Sequence, residues 1–411
     1  MILLSWLLTK IPFVKKAGIE YKILVSLFFL RIIFGVLNGY LNLYILTSSD
    51  TKMYHIRGLD EYHLLLSSPK KYFYNFLDNP HKDYTSGFFS ASNSYWNDLK
   101  DRIIDKILSI LDLFTFGDFF SNVLIYNFFI FLGSILMYKL FLKLFPAKSN
   151  YILIGIFCLP SFLFFSSGLH KEGLIFIGIS IIYFNFYQII DEKKYSFRSS
   201  ILIVISFLFI LLLRNYVLLL LIPSIIYWWI CKYKSFKTLS TFVFGYCLLI
   251  FLFFSSGLLP NKNLSLPSIV AARQTAFIHI GKSANSFIPV DTLKGSIMSY
   301  SDHLLPALIN SFLRPYLFEK MNLFYMAISF EFTVYILALF CFLLFRKRNS
   351  DRPILYSMVF FSISMFLIIG YTIPIEGAIV RYRSIFIPLL IIPILCKTDW
   401  EKAYKFIIRK I

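Results

Sequence analysis

A chain of 411 residues that is 58% hydrophobic and only 15% charged cannot be a soluble globular protein, whose charged share is about 25%. Its apolar runs, such as 201–213 and 333–345, are continuous rather than alternating, which excludes a β-barrel and predicts membrane-crossing helices. On a soluble protein a formal net charge of +19 would suggest nucleic acid. Here Lys and Arg gathered in cytoplasmic loops account for it, and no nucleic-acid partner is expected.

Residues 1–16 are apolar with Lys10, Lys15 and Lys16 following, lack a small-residue cleavage site, and read as a short interfacial helix. Candidate spans follow at about 23–46, 119–143, 151–167, 173–190, 200–213, 215–231, 238–257, 322–345, 353–373 and 384–396. The pair within 200–231 suits a tight hairpin turning at Arg214-Asn215. The expected fold is an all-α polytopic membrane protein with about 10 transmembrane helices in a single transmembrane domain, 1–411.

With the N-terminus in the cytoplasm, every inside segment is short and basic: Lys10–Lys22, Lys143–Lys148, 191–198, 232–237, 346–352 and Lys397–Lys410. Two long segments, about 47–118 and 258–321, then fall outside, and an N-in, C-in topology obeys the positive-inside rule. The abundance of Phe, Ile, Lys and Tyr points to an AT-rich genome, so the expected site is the cytoplasmic (inner) membrane of a bacterium, crossed many times. All five cysteines lie in or beside apolar runs, which argues against a disulfide framework or a zinc site.

This topology gathers chemistry on one side. All six histidines, His55, His63, His81, His170, His279 and His303, fall outside, and the segment 47–118 alone holds ten of the 22 acidic residues, among them Asp78 and Asp83. Asp50 follows the first span within one turn, at the bilayer rim, where desolvation would raise its pKa toward that of a general base. His55 and the Asp60-Glu61 pair are candidate assistants or metal ligands; solvated loop is the plainer account of all of them. The stretch 96–114 has the three-to-four spacing of an amphipathic helix, fit to lie on the membrane or to pack against the bundle.

The heptapeptide LFFSSGL occurs at 163–169 and again at 252–258, each time closing an outward-going span. Its glycine suits a positive-φ helix cap. The first copy runs on into His170, Lys171 and Glu172, where a new helix begins and an anion would meet free backbone N–H groups. Glu172 is alternatively a partner for Lys171. Arg214, Arg273, Lys282, Arg314, Arg381 and Arg383 also fall outside, the last two with Glu376 between the final two spans. Arginines at helix ends suit a phosphate or pyrophosphate headgroup, although each alone is explained by snorkelling at the interface. No Walker loop or GxGxxG motif is present, which argues against a nucleotide-driven pump.

A first span, a long outer loop opening on an acid at SSDTKMYH, and a late RYRSIFIPLL stretch at Arg381–Leu390 resemble the GT-C class of membrane glycosyltransferases. That resemblance implies a polyprenyl-phosphate-linked sugar as donor and a glycan, lipid or protein acceptor outside the membrane. Asp50 would be the catalytic base. His55, His170, Lys171, Glu172, Arg214, Arg314, Glu376, Arg381 and Arg383 would line the substrate site. Some members use a divalent metal ion, and the resemblance leaves open whether this chain would. Two other readings stay open: a polymerase of lipid-linked oligosaccharide repeats, and a lipid or glycan transporter, which would place paired charges at mid-membrane.

Overall fold

The structure is a computed structural model that describes residues 1–46, 49–75, 95–234, 236–259, 264–282, 284, 286–319, 321–347 and 352–408. His81, Asp78 and Asp83 lie outside the described residues. Among those described, the chain is helical, and the β contacts are two isolated antiparallel bridges, Phe287 with Ile375 and Arg346 with Thr398. Among the described residues, seven helices are long and apolar enough to cross a membrane, or up to nine if two bent pairs each count as one span. The protein is therefore an all-α polytopic membrane protein.

In chain order the helices are α1 (Ile2–Lys10), α2 (Pro12–Lys15), α3 (Tyr21–Tyr40), α4 (Asp50–Ser67), α5 (Pro69–Tyr74), α6 (Tyr95–Thr115) and α7 (Phe119–Leu144). They continue with α8 (Ser149–Phe157), α9 (Pro160–Ser167), α10 (Lys171–Ile190), α11 (Phe197–Lys234), α12 (Thr238–Ser255), α13 (Leu266–Gly281) and α14 (Ile297–Leu308). The last are α15 (Leu323–Phe345), α16 (Pro353–Thr372), α17 (Glu376–Ser384), α18 (Ile387–Lys397) and α19 (Trp400–Ile408).

The expected spans need three adjustments. The stretch 151–167 is α8 and α9, bent by 52° where Pro160 removes a backbone donor and excludes helix at the residue before it. The span expected at 384–396 is α17 with α18, bent by 62°, with Pro388 in the first turn of α18. The two spans expected within 200–231 are one helical stretch of 38 residues, about 57 Å if straight and too long for a ~30 Å core. It breaks at Arg214, whose φ of −152° and ψ of 89° are not helical, at the position where the turn was expected.

The chain divides into two compact units, Met1–Pro146 with Ile156–Leu218, and Ala147–Gly155 with Leu219–Ile411. In the first, α3 packs on α7 and α9, α7 on α10, and α4 on α6. Asp118 starts α7 by accepting from the Ser121 N–H at 2.7 Å. The turn before it uses positive φ at Phe116 and Gly117. In the second unit α16 is the hub, contacted by α12, α13, α14, α17 and α18, while α15 packs on α18 and α19.

Helix α6 shows which account of 96–114 applies: it packs against α4 and α7. Ile103, Ile104, Leu108 and Leu111 are buried, but so are Asp105, Lys106 and Asp112, while Ile110, Leu113 and Phe114 are exposed. The polar stripe of this helix faces protein.

Gly168 corrects the expected cap. Its φ is −69°, so no left-handed residue ends α9. The glycine serves close approach instead, since a Cβ there would lie 2.2 Å from Asn38 Oδ1. In the second LFFSSGL the corresponding turn is a 3-10 segment, Ser256–Leu258, with Gly257 and Leu258 exposed, so the two copies share a helix stop and not a site.

Candidate functional site

In the first unit, polar side chains converge around the start of α10. His170 precedes the helix and is buried; Thr51 Oγ1, in the first turn of α4, lies 3.1 Å from its Nδ1 and 3.2 Å from its Nε2. The Tyr126 hydroxyl donates to the His170 carbonyl. Asp50, one residue earlier on α4, is exposed. The desolvation expected at Asp50 falls instead on carboxylates of α6.

Lys171 and Glu172 do not pair with each other as the alternative reading had it. Lys171 Nζ reaches Asp101 at 2.6 Å, and Glu172 accepts from Arg214 Nη2 at 2.6 Å. Their helical setting explains this: successive residues at a helix start point about 100° apart. Lys171 turns toward α6 and Glu172 toward α11.

Three aspartates of α6 line up at helical spacing, Asp101, Asp105 and Asp112. Asp105 is 5% exposed; its Oδ2 lies 3.1 Å from Arg57 Nε, and Oδ1 has no hydrogen-bond partner among the described residues. Burial pushes its carboxyl up to about 7, with Arg57 opposing that rise and Asp101 adding to it. Asp112 accepts from Asn122 Nδ2 at 2.6 Å, and burial pushes its carboxyl up as well. His55 packs edge-on to Phe119, and burial pulls its imidazole down against the charges of Asp112 and Asp118. Lys106 reaches Glu61 at 2.7 Å and lies 3.4 Å over the Tyr72 ring; burial pulls its ammonium down. Neither Asp105 nor Arg57 was singled out from the sequence, although the 101, 105, 112 stripe of acids on an amphipathic helix carried the signal.

Arg31, fully buried in the middle of α3, was also missed. Its guanidinium donates to Asn127 Oδ1 at 3.0 Å, to the Ser166 carbonyl at 3.1 Å and to Ser166 Oγ at 2.8 Å. The signal was plain: an arginine halfway along an apolar span is costly and marks a polar cluster. In the turn Leu41–Ile45 that follows α3, Asn42 donates to Asn38 Oδ1 at 3.1 Å and accepts from Ser49 Oγ at 2.6 Å.

In the second unit, Arg383 is fully buried. It donates to the carbonyls of Ser311 and Arg314 and stacks 3.6 Å over the Phe332 ring, near Glu331 and Glu376. Glu331 accepts from the Tyr335 hydroxyl, and Glu376 is 1% exposed. Arg314 lies 3.3 Å from Glu319 and is partly exposed. Arg381 is half-buried and donates to the Tyr382 hydroxyl at 3.1 Å. The expected substrate residues thus divide between the units: Asp50, His55, His170, Lys171, Glu172 and Arg214 in the first, Arg314, Glu376, Arg381 and Arg383 in the second. Arg383 spends its donors on backbone carbonyls, which makes it a brace for the segment 311–314.

Among the described residues, no group of three or more His, Cys, Asp or Glu is arranged to hold a metal ion. The first-unit cluster offers two kinds of chemistry. Lys171 and Arg57 are cations for an anionic group, and Asp105 is a carboxylate able to exchange a proton near neutral pH.

No known protein family, no curated protein and no solved structure matches this chain. What the fold defines is its class, a multi-pass α-helical membrane protein in contact with membrane lipid.

Proposed function

We propose that the protein is a membrane glycosyltransferase. It moves a sugar from a polyprenyl-phosphate donor to a glycan, lipid or protein acceptor at the outer face of a bacterial cytoplasmic membrane. The observation that carries the reading is the convergence of acids and cations from α4, α6, α10 and the break of α11 around His170. Such a cluster beside membrane-spanning helices suits a charged headgroup on a lipid tail. Lys171 neutralises the donor phosphate as it leaves, and a carboxylate takes the proton of the acceptor hydroxyl. Asp50 is the base by its place after the first span.

A polymerase of lipid-linked repeats is the second reading, favoured by the partly exposed arginines Arg314 and Arg381 of the second unit. Transport is favoured less, because the mid-span Arg31 is held by neutral, buried partners and not by an acid that could exchange.

The test is Asp50→Asn and, separately, Arg381→Ala in the native host, with surface glycan and membrane-inserted protein both measured. Glycan loss in D50N with normal protein level supports the transferase. Loss in R381A alone supports the polymerase. Normal glycan in both rejects the enzyme assignment at these residues.

A further inference from the structure

Two cations from separate helices in the first unit aim at a common point, and a carboxylate of the same chain sits on it. Arg57 Nη2 of α4 lies 3.6 Å from Asp101 Oδ2, and Lys171 Nζ of α10 lies 2.6 Å from Asp101 Oδ1. Tyr54 completes the cradle: its hydroxyl donates to Asp101 Oδ1 at 3.5 Å. Its ring also carries both cations, Arg57 at 5.3 Å and Lys171 at 5.4 Å from the centroid.

The two ends of this cluster differ in freedom. Asp105, at the bottom, is buried and holds Arg57 by Nε at 3.1 Å, which leaves the guanidinium edge turned to Asp101. Asp101, at the top, has 41% of its side chain exposed, so it leaves for water at little cost. A pair of cations capped by a half-exposed carboxylate has the charge layout of a phosphate site closed by its own stand-in. Guanidinium forks and a lysine point charge both bind phosphate oxygens, and the N-terminus of α10 adds its dipole.

We propose that Arg57, Lys171 and Tyr54 form a phosphate-binding subsite, and that Asp101 occupies it until a phosphate or diphosphate ester displaces the carboxylate. The inference rests on the reading of a phosphate-bearing substrate, but its test is binding, which is independent of sugar transfer. Asp101 and a phosphate compete for the same donors, so removing the carboxylate strengthens anion binding while removing a cation weakens it. A purely structural ion pair has no such opposite signs.

The experiment uses the full chain in detergent, titrated in one arm with inorganic pyrophosphate and in the other with a polyprenyl monophosphate. Asp101→Asn tightens binding roughly fivefold, the scale of one partly exposed ion pair. Arg57→Gln and Lys171→Gln each weaken it by roughly tenfold or more, as expected for a lost charge-assisted contact. Glu20→Gln, which removes an exposed carboxylate ahead of α3, leaves it unchanged. Opposite signs in both arms assign a free phosphate group; opposite signs with the lipid alone assign a headgroup held also by its tail. Unchanged or weaker binding in D101N in both arms overturns the proposal. If R57Q fails to fold, K171Q and D101N decide it. Anion binding with these signs in a protein that transfers no sugar leaves the subsite standing and rejects the transferase; sugar transfer with no such signs does the reverse.

Discussion

Arg214 donates to Glu172 across 2.6 Å at the break of α11, with 11% of the arginine and 2% of the glutamate side chain exposed. The pair ties the residue that interrupts one helix to the second residue of another. Removing either member leaves a charge without its counter-ion in an apolar setting, which costs roughly 3–5 kcal/mol. Removing both costs less, because no charge is stranded. Glu172→Gln and Arg214→Gln should each lower the thermal midpoint in detergent, and the double variant should recover part of the loss. Additive losses in the double variant would show that the two residues act separately.

Asp105 gives a pH dependence of defined sign. Its carboxyl is raised to about 7 in the fold, against an unfolded value near 3.9. Between those values the folded state holds the extra proton, so this group's contribution to stability falls as pH rises from about 4 to about 7. His55, whose imidazole is lowered, acts in the opposite direction as pH falls through its usual range, so the wild-type curve alone mixes the two. The difference between wild type and Asp105→Asn isolates the aspartate: D105N should gain relative stability from pH 4 to 7 and then level off. A difference that is flat across this range would mean that Arg57 keeps Asp105 ionised throughout.

Helices and their approximate ends were legible because apolar runs and prolines act locally. Pro160 also explains its bend through its steric effect on Leu159, which is extended, and Pro388 lacks the N–H that would carry the hydrogen bonding of α17 on into α18. Partners were not legible, because they depend on rotation about each helix axis and on which helices touch. His170, Lys171 and Glu172 stood out as a run, yet their partners, Thr51, Asp101 and Arg214, come from three other helices. Arg31 and Glu331 were open to notice as charges within spans. A charge within a span is costly and marks a site, whereas in a loop charge is cheap and therefore less informative.

Arg381 and Arg383 stand two residues apart on α17 and separate two roles that the sequence merges. Arg383 is fully buried, donates to the Ser311 and Arg314 carbonyls and covers the Phe332 face. Its truncation strands two acceptors and the charges of Glu331 and Glu376, a loss of several kcal/mol. Lysine does not rescue it, since one ammonium cannot reproduce a planar fork to two carbonyls with ring stacking. Arg381 is half-buried where Arg383 is fully buried, so its truncation removes less buried contact. Arg383→Ala and Arg383→Lys should therefore both reduce the amount of inserted, heat-stable protein. Arg381→Ala should leave that amount near wild type, within about 1 kcal/mol, and any loss of surface glycan it causes then reports on substrate. Equal destabilisation by R381A and R383A would assign both arginines to the scaffold and remove Arg381 from the substrate site.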